Sequence, residues 1–417
     1  MQMKILFTLE SSAGMEVKMK QIKGGVTAAK GFKAASTAAG IKYKDRTDMA
    51  MIYSEVPCAV AGTFTTNIVK AAPVKWDQHV VYDSKKAQAV IVNAGIANAC
   101  TGEEGMGYCK ATAEKVNKLL QIPTDEVLVA STGVIGMQLP MEKMTEGVRM
   151  LAKAIKPGEE AGTDAAKAIM TTDTRNKQVA VKVTIGGKEV TIGGMCKGSG
   201  MIHPNMCTML AFVTTDVNIS KKLLQEALSA DVQDTFNMVS VDGDTSTNDT
   251  LLVLANGQAG NPEITEKGAD YDTFVEALHY VNETLAKKIA GDGEGATALF
   301  EVKVIHADNK EDAKTLAKSV ITSSLTKAAL FGHDANWGRI LCALGYSGAK
   351  FDPEAIELYL ESSAGKILIF KDGMAADYSE EEATRILSCS EVTALVDMKM
   401  GEAEATARGG GFTYPYV

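Results

Sequence analysis

Alternation with a period of two is the feature that most restricts how this chain can fold. Val179, Val181, Val183 and Ile185 alternate with Ala180, Lys182 and Thr184; Gly186-Gly187 follows, and Val190 and Ile192 return. Successive strand residues point to opposite faces, and a two-residue glycine turn supplies the positive φ that a tight hairpin needs. The segment must therefore be an antiparallel hairpin. It runs directly into Gly193–Asp216, GGMCKGSGMIHPNMCTMLAFVTTD, whose closing apolar run reads as a buried strand. Glycines in such a run let the backbone approach a ligand or another strand closely.

Thr208 stands at the mouth of that strand. A hydroxyl between flexible chain and rigid sheet is well placed as a nucleophile, provided a base takes its proton. Cleavage of the Cys207–Thr208 bond by an N-to-O acyl shift and ester hydrolysis would free an α-amino group for that task. Such an amine has a pKa of about 7.7 to 8. The same letters also describe a glycine-rich turn entering a core strand, with the Thr208 hydroxyl bonded to backbone.

The chain has 417 residues, and that length implies roughly two to three domains, or one large α/β body with an appendage. A net charge of −9 argues against nucleic acid, which needs a basic surface. The seven cysteines show no CxxC spacing and the five histidines no HxxxH pair, so reduced thiols are expected and no metal. The apolar run from Ile5 to Leu9 is too short for a signal segment, and no stretch has the length of a membrane helix. A cytoplasmic protein is expected.

Helical spacing predicts helices over Glu104–Leu120, after Pro140, after Ser220, and over Tyr271–Ile289. Asp308 with Glu311 predicts a capping box for a further helix. Strands are predicted at Met49–Tyr53 and Ala59–Phe64, split by Pro57, and at Ala87–Val92, Val127–Ala130, Leu251–Ala255 and Val302–Ile305. The small-residue run from Gly24 either packs closely, lines a pocket or forms a loose surface loop. Asn93 and Asn98 follow a strand and either bind substrate or cap the next helix. The turn Ser131–Gly136 can aim backbone amides at a developing oxyanion, or simply join strand to helix. VSVDGDTSTND, Val239–Asp249, lacks EF-hand spacing and reads as an acidic turn or a polar site lining. Strands and helices mix without a regular βαβ repeat, which predicts an α+β fold with sheets stacked face to face and helices outside.

Seven ordered clusters, GGVTAAKGFKAA, NAGIANACTG, STGVIGMQLP, GGMCKGSGMIHPNMCTML, SVDGDTSTND, GDGEGAT and NWGRI, cover the chain from about residue 24 to 400. Together they resemble the ornithine acetyltransferase family of arginine biosynthesis, also called bifunctional glutamate N-acetyltransferase. The resemblance implies an N-terminal-nucleophile-like acyltransferase fold with a smaller C-terminal α/β part. It implies self-cleavage into chains 1–207 and 208–417, intertwined in one main body and assembled as an α2β2 heterotetramer. Thr208 would take acetyl from N-acetylornithine and pass it to glutamate. Thr132 and Gly133 match the family's oxyanion hole. Lys197, Glu294 and a threonine of the Thr171-Thr172 pair match substrate-binding positions. No cofactor is implied, with acetyl-CoA at most a second acetyl donor.

The chain departs from the family pattern at Cys207, where alanine is usual, and at His333 and Ala335, where arginine and proline are usual. Its ending, ARGGGFTYPYV, replaces a family segment in which an asparagine and a nearby hydroxyl hold substrate, so weaker substrate affinity is expected. Two other readings stand beside the acetyltransferase. One is an N-terminal-nucleophile amidase or aminopeptidase using water as acceptor; the other is a folded relative blind to substrate.

Overall fold

The structure, a computed structural model, describes residues 6–10, 16–84, 86–201 and 209–410, so Cys207 and Thr208 lie outside the described residues. The chain divides into two compact units. One is built within Met1–Gly198, Asn205–Thr235 and Thr245–Leu285, the other within Ser199–Pro204, Phe236–Asp244 and Ala286–Val417.

The strands of the first unit are β1 (Leu6–Glu10), β2 (Glu16–Ile22), β3 (Phe32–Thr37), β4 (Met49–Phe64), β5 (Ala87–Ile96), β6 (Val127–Val134), β7 (Lys177–Ile185), β8 (Lys188–Lys197), β9 (Leu210–Thr215) and β10 (Thr250–Ala255). Its helices are α1 (Ala72–Asp83), α2 (Glu104–Leu120), α3 (Met141–Ala154), α4 (Glu159–Ala168), α5 (Lys221–Asp231) and most of α6 (Ala269–Ala290). The strand order is β1-β2-β7-β8-β9-β10-β4-β5-β6, with β3 on β4. The hairpin β7–β8 forms in register from Lys177 opposite Cys196 to Ile185 opposite Lys188, and Gly186 and Gly187 turn it with φ of 55° and 71°.

β4 is one strand where two were expected. Up to Tyr53 it pairs with β3 and β5; from Ala59 on it pairs with β10, and its ladder to β5 is irregular between Tyr53 and Cys58. Pro57 is exposed in that irregular part, where its missing N–H removes nothing from the ladder. The long strand thus hands the chain from one part of the sheet to the other, and the two parts stack. Ala50, Ile52, Val90, Val92, Leu128 and Ala130 share one buried core with Met195, Leu210, Phe212, Leu252 and Leu254. Their sequence neighbours Met49, Met51, Ala89, Ile91 and Val127 face outward into a second core with Val116 of α2 and Met144, Val148 and Leu151 of α3. On the other side α5 reaches β4, where Gln225 bonds both the N–H and C=O of Gly62, and Leu285 of α6 packs on β8 at Gly194. The stacked sheets with outer helices expected of an α+β chain are therefore present. The small-residue run after Gly24 packs closely, for Val26 and Ala34 are fully buried and β3 lies within it.

The second unit is smaller. Strands β11 (Leu299–Ala307), β12 (Glu357–Ser362), β13 (Gly365–Lys371), β14 (Met374–Ala375), β15 (Glu391–Asp397) and β16 (Ala403–Gly410) form a sheet ordered β14-β13-β12-β15-β11-β16. Where an α/β part was expected, the unit pairs helices with a sheet that is antiparallel except between β11 and β15. Helices α7 (Lys310–Thr322), α8 (Ser324–Phe331), α9 (Trp337–Gly345) and α10 (Glu380–Leu387) supply its core through Leu316, Val320, Leu330, Ile340, Leu344 and Ile386. The cap of α7 is Asn309, one residue after the expected Asp308: its side chain accepts from the Asp312 N–H at 2.9 Å. Among the described residues no helix is long and apolar enough to cross a membrane.

Candidate active site

Thr132 and Gly133 lie just before the end of strand β6. Gly133 has φ of 129°, and a Cβ there would lie 2.2 Å from the carbonyl carbon of Gly95 on β5, so this position accepts only glycine. Thr132 is nearly buried, while Gly133 opens to solvent. Three polar side chains fix the approach to this turn. Ser131 Oγ donates to Asn93 Oδ1 at 2.6 Å, and Asn93 Nδ2 donates to Ile96 O at 2.9 Å. Asn248 Nδ2 donates to Ala97 O at 2.6 Å and to Ser131 O at 2.8 Å.

β6 ends the strand order, so one row of its backbone groups faces no strand. Helix α1 covers it. Trp76 Nε1 donates to Val127 O at 2.9 Å, and the Val129 N–H donates to Asp77 Oδ1 at 2.8 Å. Asp77 is fully buried, and its Oδ2 has no hydrogen-bond partner among the described residues. Burial pushes its carboxyl well above the usual range, against the pull of the Val129 N–H.

Lys197, the last residue of β8, is buried, and its Nζ donates to Thr132 Oγ1 at 3.3 Å. The two expected site residues from distant hairpin and edge strand thus meet. Behind them lies a buried pair: Lys177 Nζ and Asp173 Oδ1 are 2.6 Å apart, with side chains 1% and 0% exposed. Asp173 Oδ1 also accepts the Gly198 N–H at 2.7 Å, and Oδ2 accepts the Thr171 N–H at 3.1 Å. Burial favours the neutral Asp173 acid, but the charges of Lys197 and Lys177 and the bonds from Lys177 and Gly198 outweigh it and hold the carboxyl below its usual value. Thr171 is half-buried and Thr172 exposed.

Thr208 lies outside the described residues, but its neighbour Met209 is buried. The Met209 N–H bonds the Asp249 carboxyl, and Met209 O accepts the Thr250 N–H at 3.0 Å. Asp249 is driven well above the usual carboxylate range by burial, which exceeds the opposing effects of Met209, Ser246, Lys197 and Thr65. The last two residues of the acidic motif Val239–Asp249 are buried and act on backbone. Asn248 braces the turn at Ser131, and Asp249 braces the residue after Thr208.

Glu294 belongs to the second unit. Its N–H donates to Ser199 O at 2.9 Å, and Ser199 Oγ donates to Asp292 O at 2.7 Å. Its carboxylate lies against Gly200, where a Cβ would come within 2.5 Å of the carboxyl carbon. Asn93 and Asn98 are 1% and 0% exposed. Both act within the fold rather than on a ligand, Asn98 through Gly105 O at 3.1 Å. Among the described residues no group of His, Cys, Asp or Glu side chains could hold a metal ion.

Sequence reasoning does not single out Asp173, Lys177, Asn248, Asp249, Trp76 or Asp77. The first four sit inside two motifs, MTTDTRNK and SVDGDTSTND, but Gly198 beside Asp173 and the Ala97 and Ser131 carbonyls bonded by Asn248 lie far off in sequence.

Comparison with known proteins gives a consistent family. The ArgJ family profile matches residues 33–417. The arginine biosynthesis bifunctional protein ArgJ of Thermotoga neapolitana is 49% identical over 389 residues, covering 93% of this chain and 97% of that protein. The protein of the same name from Symbiobacterium thermophilum is 51% identical over 401 residues, covering 96% and 98%. Among solved structures, the ornithine acetyltransferase of Mycobacterium tuberculosis complexed with ornithine is 43% identical. It matches with a TM-score of 0.42 over 46% of this chain and all of that one.

Proposed function

Because this chain belongs to the ArgJ family, we propose that it is an acetyltransferase of arginine biosynthesis, moving acetyl from N2-acetyl-L-ornithine to L-glutamate through an ester on Thr208. Self-cleavage between Cys207 and Thr208 supplies the free amino group, and the chains 1–207 and 208–417 stay together as an α2β2 assembly in the cytoplasm. That amine takes the proton of its own hydroxyl as Oγ attacks the acetyl carbonyl. The carbonyl oxygen becomes an oxyanion held by the Thr132 hydroxyl and the Gly133 N–H. Collapse breaks the C–N bond, the ammonium of Thr208 returns the proton to the leaving amine, and ornithine departs. Glutamate's amine then attacks the ester, gives up a proton to the Thr208 amine, and leaves as N-acetylglutamate while the hydroxyl regains its hydrogen.

The observation that carries this reading is the Lys197 to Thr132 contact at 3.3 Å. A hydroxyl that accepts from an ammonium has its own hydrogen free to donate, and the adjacent charge strengthens that donation where negative charge develops. By the family resemblance, Lys197 with Thr171 or Thr172 is suited to a substrate carboxylate, and Glu294 to a substrate ammonium. The cycle as written requires no metal or organic cofactor, and acetyl-CoA would enter only as another donor to the same threonine.

The test is product formation. Purified protein given N-acetylornithine and glutamate should release ornithine and N-acetylglutamate in equal amounts with parallel-line kinetics, and Thr208→Ala should abolish turnover. Acetate release without glutamate at a comparable rate would make it an amidase instead, and no product at all would make it a substrate-blind relative.

A further inference from the structure

The buried pair Asp173–Lys177 is not used in any chemical step, yet it lies beside Thr171, Gly198 and Lys197. A buried ion pair adds little to stability over an apolar pair of the same size, because removing both charges from water costs about what their attraction returns. A pair with both side chains at 1% exposure or less therefore calls for another reason. Asp173 provides one in its remaining bonds. Its carboxylate receives the N–H of Thr171, a predicted substrate contact, and the N–H of Gly198, the residue after Lys197. Lys177 begins the strand that pairs with β8, opposite Cys196, so its ammonium comes from the ladder position beside Lys197. One carboxylate thus joins a turn, a strand start and a strand end that are far apart in sequence.

We propose that Asp173 is the positioning residue of this site, fixing Thr171 and Lys197 relative to each other, with Lys177 as its buried counter-ion. The proposal rests on the acetyltransferase reading for its substrates, and on the geometry alone for the positioning.

The test variant is Asp173→Asn, which keeps the shape and removes the charge. KM for both N-acetylornithine and glutamate should rise about tenfold or more, while kcat falls by no more than about threefold and the chain is still cleaved. Lys177→Met leaves both backbone donors on Asp173 and should raise KM less, by about threefold. KM within about twofold of wild type in Asp173→Asn, even with a lowered melting temperature, would assign the pair to stability and overturn the proposal. Should Asp173→Asn fail to fold, Asp173→Asn/Lys177→Met, which leaves no unpaired buried charge, takes its place with the same expected rise. Failure of both to fold also assigns the pair to stability alone. Amide exchange of peptides 170–174 and 196–199 separates this from the functional reading. If wild type transfers no acetyl, that reading falls, and unchanged exchange in Asp173→Asn would overturn the positioning as well.

Discussion

The proposed oxyanion turn depends on a single missing side chain. At Gly133 a methyl group would meet Gly95 C at 2.2 Å and its O at 2.4 Å, in a backbone conformation with φ of 129° that side chains rarely adopt. Relief can come only by opening β5 from β6, which displaces the Thr132 hydroxyl and the Gly133 N–H together. Gly133→Ala should therefore cost kcat about a hundredfold or more, the scale of losing an oxyanion donor, and lower the melting temperature. Thr132→Ala should match the loss in kcat with KM and stability nearly unchanged, because only the hydroxyl goes. Steady-state kinetics with thermal unfolding separates the two; normal kcat in Gly133→Ala would mean the turn is not the oxyanion site. In the sequence the turn Ser131–Gly136 read either as an oxyanion turn or as a plain strand-to-helix join, and the roles of Thr132, Gly133 and Lys197 came from the family resemblance. Asp173 was not legible, because an exposed and a buried aspartate share a letter. Only the fold brings Gly198 to it, across a separation of 25 in the sequence.

At the scale of elements, the edge strand β6 shows what carries the turn. A helix substitutes for the missing neighbour strand: Trp76 and Asp77 bond Val127 O and Val129 N, on the strand that leads into Thr132. Burial raises the folded pKa of Asp77 above its unfolded value, so the native form holds a proton that the unfolded chain releases. Its stability contribution is full below about pH 3.9 and is lost as pH climbs through the folded value, at up to about 1.4 kcal/mol per pH unit. Asp77→Asn keeps the acceptor for Val129 and removes this loss. Denaturant curves should show wild type losing stability relative to the variant as pH rises above about 4. Parallel pH dependence would mean that Asp77 is ionised in the native protein. Most elements themselves were legible: the α2 bounds follow from helical spacing, and the β7–β8 hairpin from period two and its glycine pair. The β4 strand was divided in the sequence because proline ordinarily ends a central strand. Here it occupies the irregular join between two ladders. The α7 cap shifted by one residue because Asp308 and Asn309 are both competent caps and side-chain pattern alone does not rank them.

The whole molecule divides along lines that no local signal marks. The first unit takes three separate stretches of chain and the second three others, so neither has a linker that composition could reveal. Both sides of the Cys207–Thr208 bond contribute strands to the first unit: β8 precedes the bond, β9 follows it, and the two pair from Ile192 opposite Thr215 to Lys197 opposite Leu210. Cleavage there would leave two chains held by one continuous ladder, and the central claim, an acetyl ester on a freed Thr208, joins that topology to the chemistry. Intact mass of the denatured protein, taken before and after N-acetylornithine and again after glutamate, tests it most directly. The account predicts two chains that part between Cys207 and Thr208. The 208–417 chain should become one acetyl group heavier with N-acetylornithine and return to its first mass with glutamate. A single uncleaved chain, or cleaved chains whose masses never change, would contradict it.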